Sequence, residues 1–315
     1  MREWLNRTHV GDCRELLRAM AADGVHVRSC VTSPPYFGLR DYGVQGQIGL
    51  EPTPAEYVER MVEVFRAVRD VLADDGTVWL NLGDSYGRGT RTENPSDAKR
   101  GTGFHATITK DAGYGAPCLA QSLQNKQLLG IPWRVALALQ ADGWYLRSDI
   151  IWHKPNPMPE SVTDRPTKAH EYLFLLSKSE RYYYDADAIR EPDSGQDHPR
   201  NVLALPEPTG GLMSPHRGIR CAEGRNGKGR NKRSVWTIAP RPFRGAHFAV
   251  FPPALIEPCV LASSRTGDTV LDPFMGSGTT AEVATRFGRN FIGCELNPKY
   301  VELHEMRRTT VGMPI

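Results

Sequence analysis

The segment Gly267–Thr280, which reads GDTVLDPFMGSGTT, contains the signal that decides the fold. A short β-branched run ends at Asp272, and the apolar spacing after the turn predicts a helix over Thr279–Phe287. Because glycine has no Cβ, Gly276 and Gly278 allow a tight turn in which a ligand can approach the backbone. A strand, a glycine turn and a helix in this order are typical of nucleotide-binding α/β folds.

The residues after this helix support a nucleotide-like ligand. A predicted strand, Asn290–Cys294, is followed at once by Glu295, whose carboxylate can accept hydrogen bonds from both hydroxyls of a ribose. The turn lacks the lysine of a triphosphate-binding loop and departs from the GxGxxG pattern, and Asp272 would repel a pyrophosphate. A cofactor that carries positive charge, such as S-adenosylmethionine, fits better. A purely structural turn and a nicotinamide dehydrogenase are the alternatives that the turn alone leaves open.

A second turn, Thr32–Tyr36 (TSPPY), follows the predicted strand Val27–Val31. Proline fixes φ and lacks an N–H, so the two prolines hold Ser33 and Pro34 rigidly, with carbonyls that no helix consumes. Open α/β sheets place their sites at the carboxyl ends of their strands. The Ser33 hydroxyl and the Pro34 carbonyl can accept the two hydrogens of an exocyclic amine, and the ring of Tyr36 can stack on a base.

Elsewhere in the chain, apolar β-rich runs alternate with helical patterns, which predicts a parallel sheet covered by helices. The predicted helix Pro54–Leu72 repeats apolar residues at three- and four-residue steps after Thr53, a typical N-cap. The other predicted elements are the strands Thr77–Leu82, Trp144–Trp152, Glu171–Ser177 and Thr269–Leu271 and the helices Lys126–Ala141 and Pro252–Ser263. One doubly wound sheet accommodates them all.

The composition excludes several classes of protein. The chain has 315 residues, of which 40% are hydrophobic and 24% charged, so disorder, a fibre and a disulfide miniprotein are excluded. No run is long enough to span a bilayer, and the start of the sequence lacks the apolar core of a signal peptide, which predicts a cytoplasmic protein. The six cysteines are scattered without metal-ligand spacing, so we expect reduced thiols and no metal site.

Two stretches do not fit the sheet. Residues 84–118 are rich in Gly, Ser and Thr, which predicts a mobile loop. Residues 189–243 predict a small insert, and the overlapping stretch His216–Arg244 carries nine Lys or Arg against one acidic residue, Glu223. Because the net charge of the whole chain is only +3, this stretch is basic on an otherwise mildly acidic body. Such a stretch suits contact with a polyanion, and a solvated loop is the alternative.

Together, TSPPY and DPFMGSGTT resemble the amino-methylating DNA methyltransferases, whose [DNS]PP[YFW] turn carries catalysis and whose FxGxG-type turn binds S-adenosylmethionine. The order of the turns, with the basic insert between them, is that of the family's β group. The resemblance covers nearly the whole chain, since His9–Leu17, His247–Pro253 and Asn297–Tyr300 are similar to the family's cofactor-contacting segments. It implies an α/β fold: a doubly wound, mostly parallel, Rossmann-like methyltransferase sheet with an antiparallel strand and a small irregular target-recognition insert.

The resemblance also divides the chain and assigns its residues. Residues 1–188 would be the catalytic part, 189–243 the insert and 244–315 the cofactor-binding part of one domain. Catalysis would fall to Ser33, Pro34, Pro35 and Tyr36. S-adenosyl-L-methionine would be bound by Asp12, Cys13, Thr32, His247, Phe248, Phe251, Asp272, Phe274, Gly276, Ser277, Gly278, Thr279, Thr280, Glu295, Leu296 and Asn297. DNA would be bound by Arg217, Arg220, Arg225, Lys228, Arg230, Lys232 and Arg233. For Asp84 and Lys154, a structural role and a role in the site are equally open.

The implied activity is site-specific transfer of a methyl group from S-adenosylmethionine to the exocyclic amine of a flipped base in double-stranded DNA. No cysteine nucleophile is needed. Members with SPPY mostly methylate cytosine N4, so cytosine is our first choice and adenine N6 the alternative. An RNA amino-methyltransferase and a catalytically silent DNA-binding relative are further alternatives. A separate cognate restriction endonuclease and a second copy of the chain are the other partners suggested, and no membrane partner is expected.

Overall fold

The computed structural model describes residues 2–87, 124–192, 229–240 and 251–302. Most of the 84–118 loop lies outside these ranges. The predicted site residues outside them are His247, Phe248, Arg217, Arg220, Arg225 and Lys228. Their roles stay predictions.

The described residues form one sheet of eight strands. In chain order these are β1 (Arg7–Val10), β2 (Val27–Thr32), β3 (Leu72–Leu82), β4 (Tyr145–His153), β5 (His170–Ser177), β6 (Val235–Thr237), β7 (Thr269–Asp272) and β8 (Asn290–Glu295). Their order in the sheet is β1-β8-β7-β2-β3-β5-β4-β6. β5 runs antiparallel to β3 and β4, and all other neighbours are parallel. The predicted mixed sheet with an antiparallel strand is therefore confirmed.

Helices cover both faces of the sheet. Within the described part they are α1 (Cys13–Ala22), α2 (Pro54–Val71), α3 (Ile131–Ala141), α4 (Pro253–Ser263) and α5 (Thr279–Arg286), with a short 3₁₀ helix at Asp187–Ile189. The first three helices bury Leu17, Phe65 and Val135 in a core on one face. The other two bury Ile256 and Val283 in a core on the opposite face. Apolar burial on both faces makes the fold doubly wound.

Local signals explain where the long helix α2 begins. The hydroxyl of Thr53 accepts a hydrogen bond from the Glu56 N–H at 3.2 Å, which satisfies one of the free donors of the first turn. Thr53 is thus the N-cap that the sequence predicts. The helix ends at Val71, one residue before the predicted end, because β3 already begins at Leu72.

Two features differ from the sequence prediction. The predicted helix Lys126–Ala141 is wrong at its start, since α3 begins only at Ile131. Lys126 and Gly130 have left-handed φ values of 67° and 65°, which a right-handed helix does not contain. The predicted insert 189–243 was expected to contribute no strand, yet β6 lies within it and pairs with β4. A three-residue strand has too little periodicity of its own to be predicted, because it forms against a neighbouring edge.

The described part of the chain contains no helix that is both long and apolar enough to cross a membrane. In the same residues, no group of His, Cys, Asp and Glu is arranged to hold a metal ion. Four cysteines are described, and all are free and buried: Cys13, Cys30, Cys259 and Cys294. Burial raises the pKa of each of these thiols, so they stay protonated.

Candidate active site

The two turns singled out in the sequence meet at the carboxyl edge of the sheet. β2 lies beside β7, with Ser29 opposite Val270 and Cys30 opposite Leu271. The TSPPY turn after β2 and the glycine turn after β7 therefore flank a common cavity of about 830 Å³. Turns that are more than two hundred residues apart in the chain thus share one crevice, as the sequence interpretation requires.

Beneath the cavity, Asp272 joins the two turns. Its carboxylate accepts hydrogen bonds from Thr32 Oγ1 at 2.6 Å, Thr280 Oγ1 at 2.7 Å and the Phe274 N–H at 3.0 Å. The side chain is fully buried, and this burial raises its pKa to about 6. We expected the carboxylate to face a positively charged cofactor, but it points into the protein. The predicted cofactor residues Thr32, Asp272, Gly278 and Thr280 accordingly lie outside the cavity lining.

Glu295 holds the glycine turn from the neighbouring strand β8. Gly276 and Gly278 have left-handed φ values of 53° and 81°, which favour glycine. Glu295 Oε2 accepts from the Gly276 N–H and Oε1 from the Asn297 N–H, each at 2.8 Å. Because each carboxylate oxygen has two lone pairs, each keeps one acceptor site for a further hydroxyl. Burial raises the pKa of Glu295.

The other predicted cofactor residues within the described ranges form much of the cavity wall. Asp12 caps α1 by accepting from the Arg14 N–H at 2.8 Å, and the Arg14 guanidinium binds the same carboxylate. These hydrogen bonds from Arg14 hold the pKa of Asp12 below its usual value. The lining residues among the candidates are Asp12, Cys13, Phe251, Phe274, Gly276, Ser277, Thr279, Glu295, Leu296 and Asn297.

All four predicted catalytic residues line the cavity, and the TSPPY turn offers two acceptors there. The carbonyl of Pro35 is used, because the Tyr57 hydroxyl donates to it at 2.8 Å and so anchors the turn on α2. Among the described residues, no donor bonds the carbonyl of Pro34. The Ser33 hydroxyl lies 3.2 Å from Asn81 Oδ1, to which it can donate its single hydrogen. Its lone pairs then stay available as acceptors.

The ring of Tyr36 is fixed on one side by backbone. A Cβ on Gly83 would come within 2.5 Å of the ring carbon Cε2, so only glycine allows this approach. The Tyr36 hydroxyl donates to Glu171 Oε2 at 2.7 Å and also lies 3.0 Å from Asn81 Oδ1. Burial and the neighbouring Glu171 carboxylate raise the pKa of Tyr36, so the phenol stays protonated.

Sequence reasoning missed two of these polar residues, Asn81 and Glu171. Asn81 Nδ2 donates to the Tyr172 carbonyl at 3.0 Å, which orients the amide so that Oδ1 faces the two hydroxyls. Glu171 forms an ion pair with Lys154, whose Nζ lies 4.3 Å from the centroid of the Trp152 ring. No motif marks these residues. They reach the TSPPY turn because β5 pairs with both β3 and β4.

Asp84 and Lys154, the two residues left open by the sequence, have different surroundings. Lys154 lines the cavity. Asp84 does not, and its Oδ1 accepts from the N–H groups of Ser85 at 2.9 Å and Ile131 at 3.0 Å. Since Ile131 is the first residue of α3, Asp84 caps this helix.

Three of the predicted DNA-binding residues lie in the described part of the chain. Arg230 and Arg233 both bind Glu191, with N–O distances of 3.1 and 3.0 Å. Lys232 Nζ lies 4.9 Å from the ring centroid of Trp236. Two of the three cations are thus already bound to a carboxylate.

Comparison with known proteins identifies the family. Residues 27–306 match the N6/N4 methyltransferase family described as DNA methylase. The chain belongs to this DNA methylase family. The Type II methyltransferase M.Cfr9I of Citrobacter freundii is 46% identical over 293 residues, covering 93% of this chain and 84% of the relative. The Type II methyltransferase M.SmaI of Serratia marcescens is 46% identical over 299 residues, covering 95% and 89%. The solved cytosine-N4-specific PvuII DNA methyltransferase has the same fold, with a TM-score of 0.59, 19% identity and coverage of 96% and 88%.

This methylase is therefore a Type II DNA methyltransferase of the N4/N6 amino class that depends on S-adenosylmethionine, which confirms the resemblance. The family favours DNA over RNA and methyl transfer over the dehydrogenase and silent alternatives. The residues present fit the cofactor: Glu295 keeps acceptor sites for two hydroxyls, and Asp12 adds a second carboxylate on the same wall. When bound, the cofactor supplies a methyl group on a positively charged sulfur.

Proposed function

We propose that this methylase transfers the methyl group to N4 of a cytosine that has rotated out of duplex DNA into the cavity. One observation carries the proposal: Ser33, Pro34 and Tyr36 lie on one wall of a cavity whose other wall is the glycine turn. An amine held by the first wall and a methyl group held by the second would meet inside a single crevice.

The acceptors of the TSPPY turn suit an exocyclic amine. The lone pair of such an amine is delocalised into the base, which makes the nitrogen a poor nucleophile. Acceptors for both hydrogens, the Ser33 oxygen and the Pro34 carbonyl, would draw the nitrogen toward tetrahedral geometry and localise the lone pair. Positioning and electrostatics then provide most of the acceleration.

The target base has to leave the duplex, because its amine is otherwise hidden in the base pair. This rotation costs a few kcal/mol, which stacking and backbone contacts offset. Gly83 covers one side of the Tyr36 ring, and we propose that the flipped base stacks on the other. The fluorescence of 2-aminopurine at the target position should rise on binding if the base unstacks, and unchanged fluorescence at saturation would contradict flipping.

The choice of cytosine rests on Ser33, since family members with SPPY mostly modify cytosine. Incubation of duplex DNA with enzyme and S-adenosylmethionine, followed by digestion and mass spectrometry of nucleosides, should yield N4-methylcytosine. N6-methyladenine would overturn the choice of base and leave the amino class intact. Base-resolution methylation sequencing of DNA from expressing cells would also reveal the recognised sequence.

We further propose that the basic insert binds DNA phosphates. Replacement of Arg217, Arg220, Arg225 and Lys228 by Gln should flatten the salt dependence of DNA affinity, by a slope of about 0.9 for each phosphate that the variant no longer neutralises. The matched double variant R230Q/R233Q should change the slope less, because Glu191 already binds both guanidinium groups. An unchanged slope in the first variant would move phosphate binding elsewhere, for example to residues 84–118. A cognate endonuclease and a homodimer stay predictions.

A further inference from the structure

Glu171 is a carboxylate in the cavity that the proposed reaction does not yet use. It lies at the amino end of the antiparallel strand β5, and its side chain is 15% exposed. Its Oε2 accepts from the Tyr36 hydroxyl at 2.7 Å, and the Tyr36 oxygen lies 3.4 Å from Ser33 Oγ. Three hydrogen-bonded groups therefore connect the catalytic turn to a largely buried carboxylate.

Methylation of an amine leaves a proton to be removed. The nitrogen forms a bond to the methyl carbon, and the electron pair of the broken sulfur–carbon bond stays on sulfur. The nitrogen then carries positive charge until one of its N–H protons departs. A proton acceptor within hydrogen-bond reach, directly or through other groups, lowers the barrier for such a step.

The available hydrogens define the direction of the network. Ser33 and Tyr36 each have one hydroxyl hydrogen, whereas Asn81 Oδ1 and Glu171 can only accept. The hydrogen bond from Tyr36 to a carboxylate is charge-assisted and short, so the Tyr36 hydrogen belongs to it. The Ser33 hydrogen can then go to Asn81 Oδ1 or to the Tyr36 oxygen. In the second arrangement every donor points toward Glu171.

We propose that Ser33, Tyr36 and Glu171 form a proton relay from the target amine to the Glu171 carboxylate. The relay rests on the proposed function, which places the amine at Ser33. The amine proton passes to Ser33 Oγ, the Ser33 proton to the Tyr36 oxygen and the Tyr36 proton to Glu171 Oε2. Each hydroxyl ends with one hydrogen, and Glu171 afterwards releases the proton to solvent in the cavity.

The surroundings of Glu171 suit this role. Lys154 binds its other oxygen, Oε1, and neutralises the charge of the carboxylate before the proton arrives. Burial raises the pKa of Tyr36, so the phenol can pass a proton without holding a negative charge itself. The titratable and charged groups on the elements around Glu171 are Tyr36, Asp84, His153, Lys154, Lys168 and His170.

The test is the pH dependence of the methyl-transfer rate in single turnovers, with DNA and S-adenosylmethionine saturating. The wild-type rate should fall on the acid side as Glu171 becomes protonated. Glu171→Gln should lower the rate about 100-fold and remove this acid limb, since an amide cannot take the proton. Tyr36→Phe, which keeps the ring, should lower the rate to a similar extent. The affinity for S-adenosylmethionine, measured by calorimetry, should change little in both variants.

Two further variants separate a relay from a structural role. Glu171→Asp keeps a carboxylate and should restore part of the rate together with the acid limb. Lys154→Gln removes the positive neighbour and should move the acid limb to higher pH. The matched control is Glu180→Gln, an exposed residue just beyond the other end of β5, which should leave the profile unchanged.

An acid limb that persists unchanged in Glu171→Gln, or a rate within about threefold of wild type, would overturn the relay. Thermal unfolding of each variant shows whether a loss of rate reflects misfolding, and Glu171→Asp keeps the test decisive in that case. If Ser33→Ala still loses activity while Glu171→Gln does not, the relay fails and the proposed function stands. If Ser33→Ala is also harmless, the proposed function fails with it.

Discussion

The TSPPY turn and the glycine turn lie at the ends of neighbouring strands and share one cavity, yet they use their polar groups in opposite ways. The glycine turn directs its side chains inward, so that Asp272 bonds Thr280 and the distant Thr32. The TSPPY turn is rigid through its prolines and presents the hydroxyls of Ser33 and Tyr36 to the cavity. The difference indicates that one turn is a scaffold for binding and the other carries the chemistry.

The largest expected effect is that of Ser33→Ala on the chemical step. If the Ser33 oxygen polarises the amine, the single-turnover rate should fall about 100-fold to 1000-fold, as when other enzymes lose a hydrogen bond to a reacting group. The affinity for S-adenosylmethionine, measured by calorimetry, should change little because the cofactor candidates lie on the opposite wall.

Ser29→Ala is the matched control, because Ser29 lies on the same strand and its buried hydroxyl has no hydrogen-bond partner within the described residues. This variant should retain the wild-type rate. Equal losses of rate and cofactor affinity in Ser33→Ala would break the contrast between the two turns and remove Ser33 from the catalytic role.

The scaffold role of Asp272 predicts a pH effect on stability. Its folded pKa of about 6 lies above the usual value for an aspartate, so between about pH 4 and 6 the folded state binds more protons than the unfolded state. The contribution of Asp272 to the free energy of unfolding is therefore highest below this window. It should decrease by about 3 kcal/mol as the pH rises through the window.

Asp272→Asn removes this titration and isolates the effect. Urea unfolding of both proteins at a series of pH values gives the stability of the wild type minus that of the variant, in which other titrating groups cancel. This difference should fall with rising pH. A difference that does not depend on pH would show that the Asp272 carboxylate is not held as its hydrogen bonds with Thr32 and Thr280 indicate.

The sequence was sufficient to find both turns because each is a local signal. The prolines after Ser33 and the glycines after Phe274 determine backbone conformation within a few residues, and a strand before each turn places it at the edge of the sheet. The alternation of strands and helices then brings the two turns together. The position of the crevice could thus be predicted without coordinates.

The rest of the site depends on pairing between distant strands. Asn81 and Glu171 reach Ser33 only because β5 enters the sheet antiparallel beside β3, and no local pattern specifies that register. The inward orientation of Asp272 was missed for a related reason. An acidic residue after a strand suggests that it binds a ligand, and only the packing of β2 against β7 shows that Thr32 already occupies its carboxylate.

The smallest of these effects is expected for Glu295→Gln, which tests the binding side of the comparison. The amide can accept through one oxygen only, so the variant cannot keep both N–H hydrogen bonds, from Gly276 and Asn297, and also accept from two hydroxyls. Removal of a hydrogen bond to a charged group corresponds to about a tenfold weaker affinity for S-adenosylmethionine in calorimetry. The rate at saturating cofactor should stay close to that of the wild type.

Acid pH should sharpen the same contrast, because the acceptor capacity of Glu295 depends on its ionised form. Since burial raises the pKa of Glu295, the cofactor affinity of the wild type should begin to weaken at a higher pH than an ordinary glutamate would allow. Glu295→Gln should lose this dependence, while the exposed control Glu257→Gln, which breaks only a surface ion pair with Arg286, should keep it. A Glu295→Gln variant that binds the cofactor normally and loses rate instead would reverse the roles of the two turns, since the glycine side would then carry part of the chemistry.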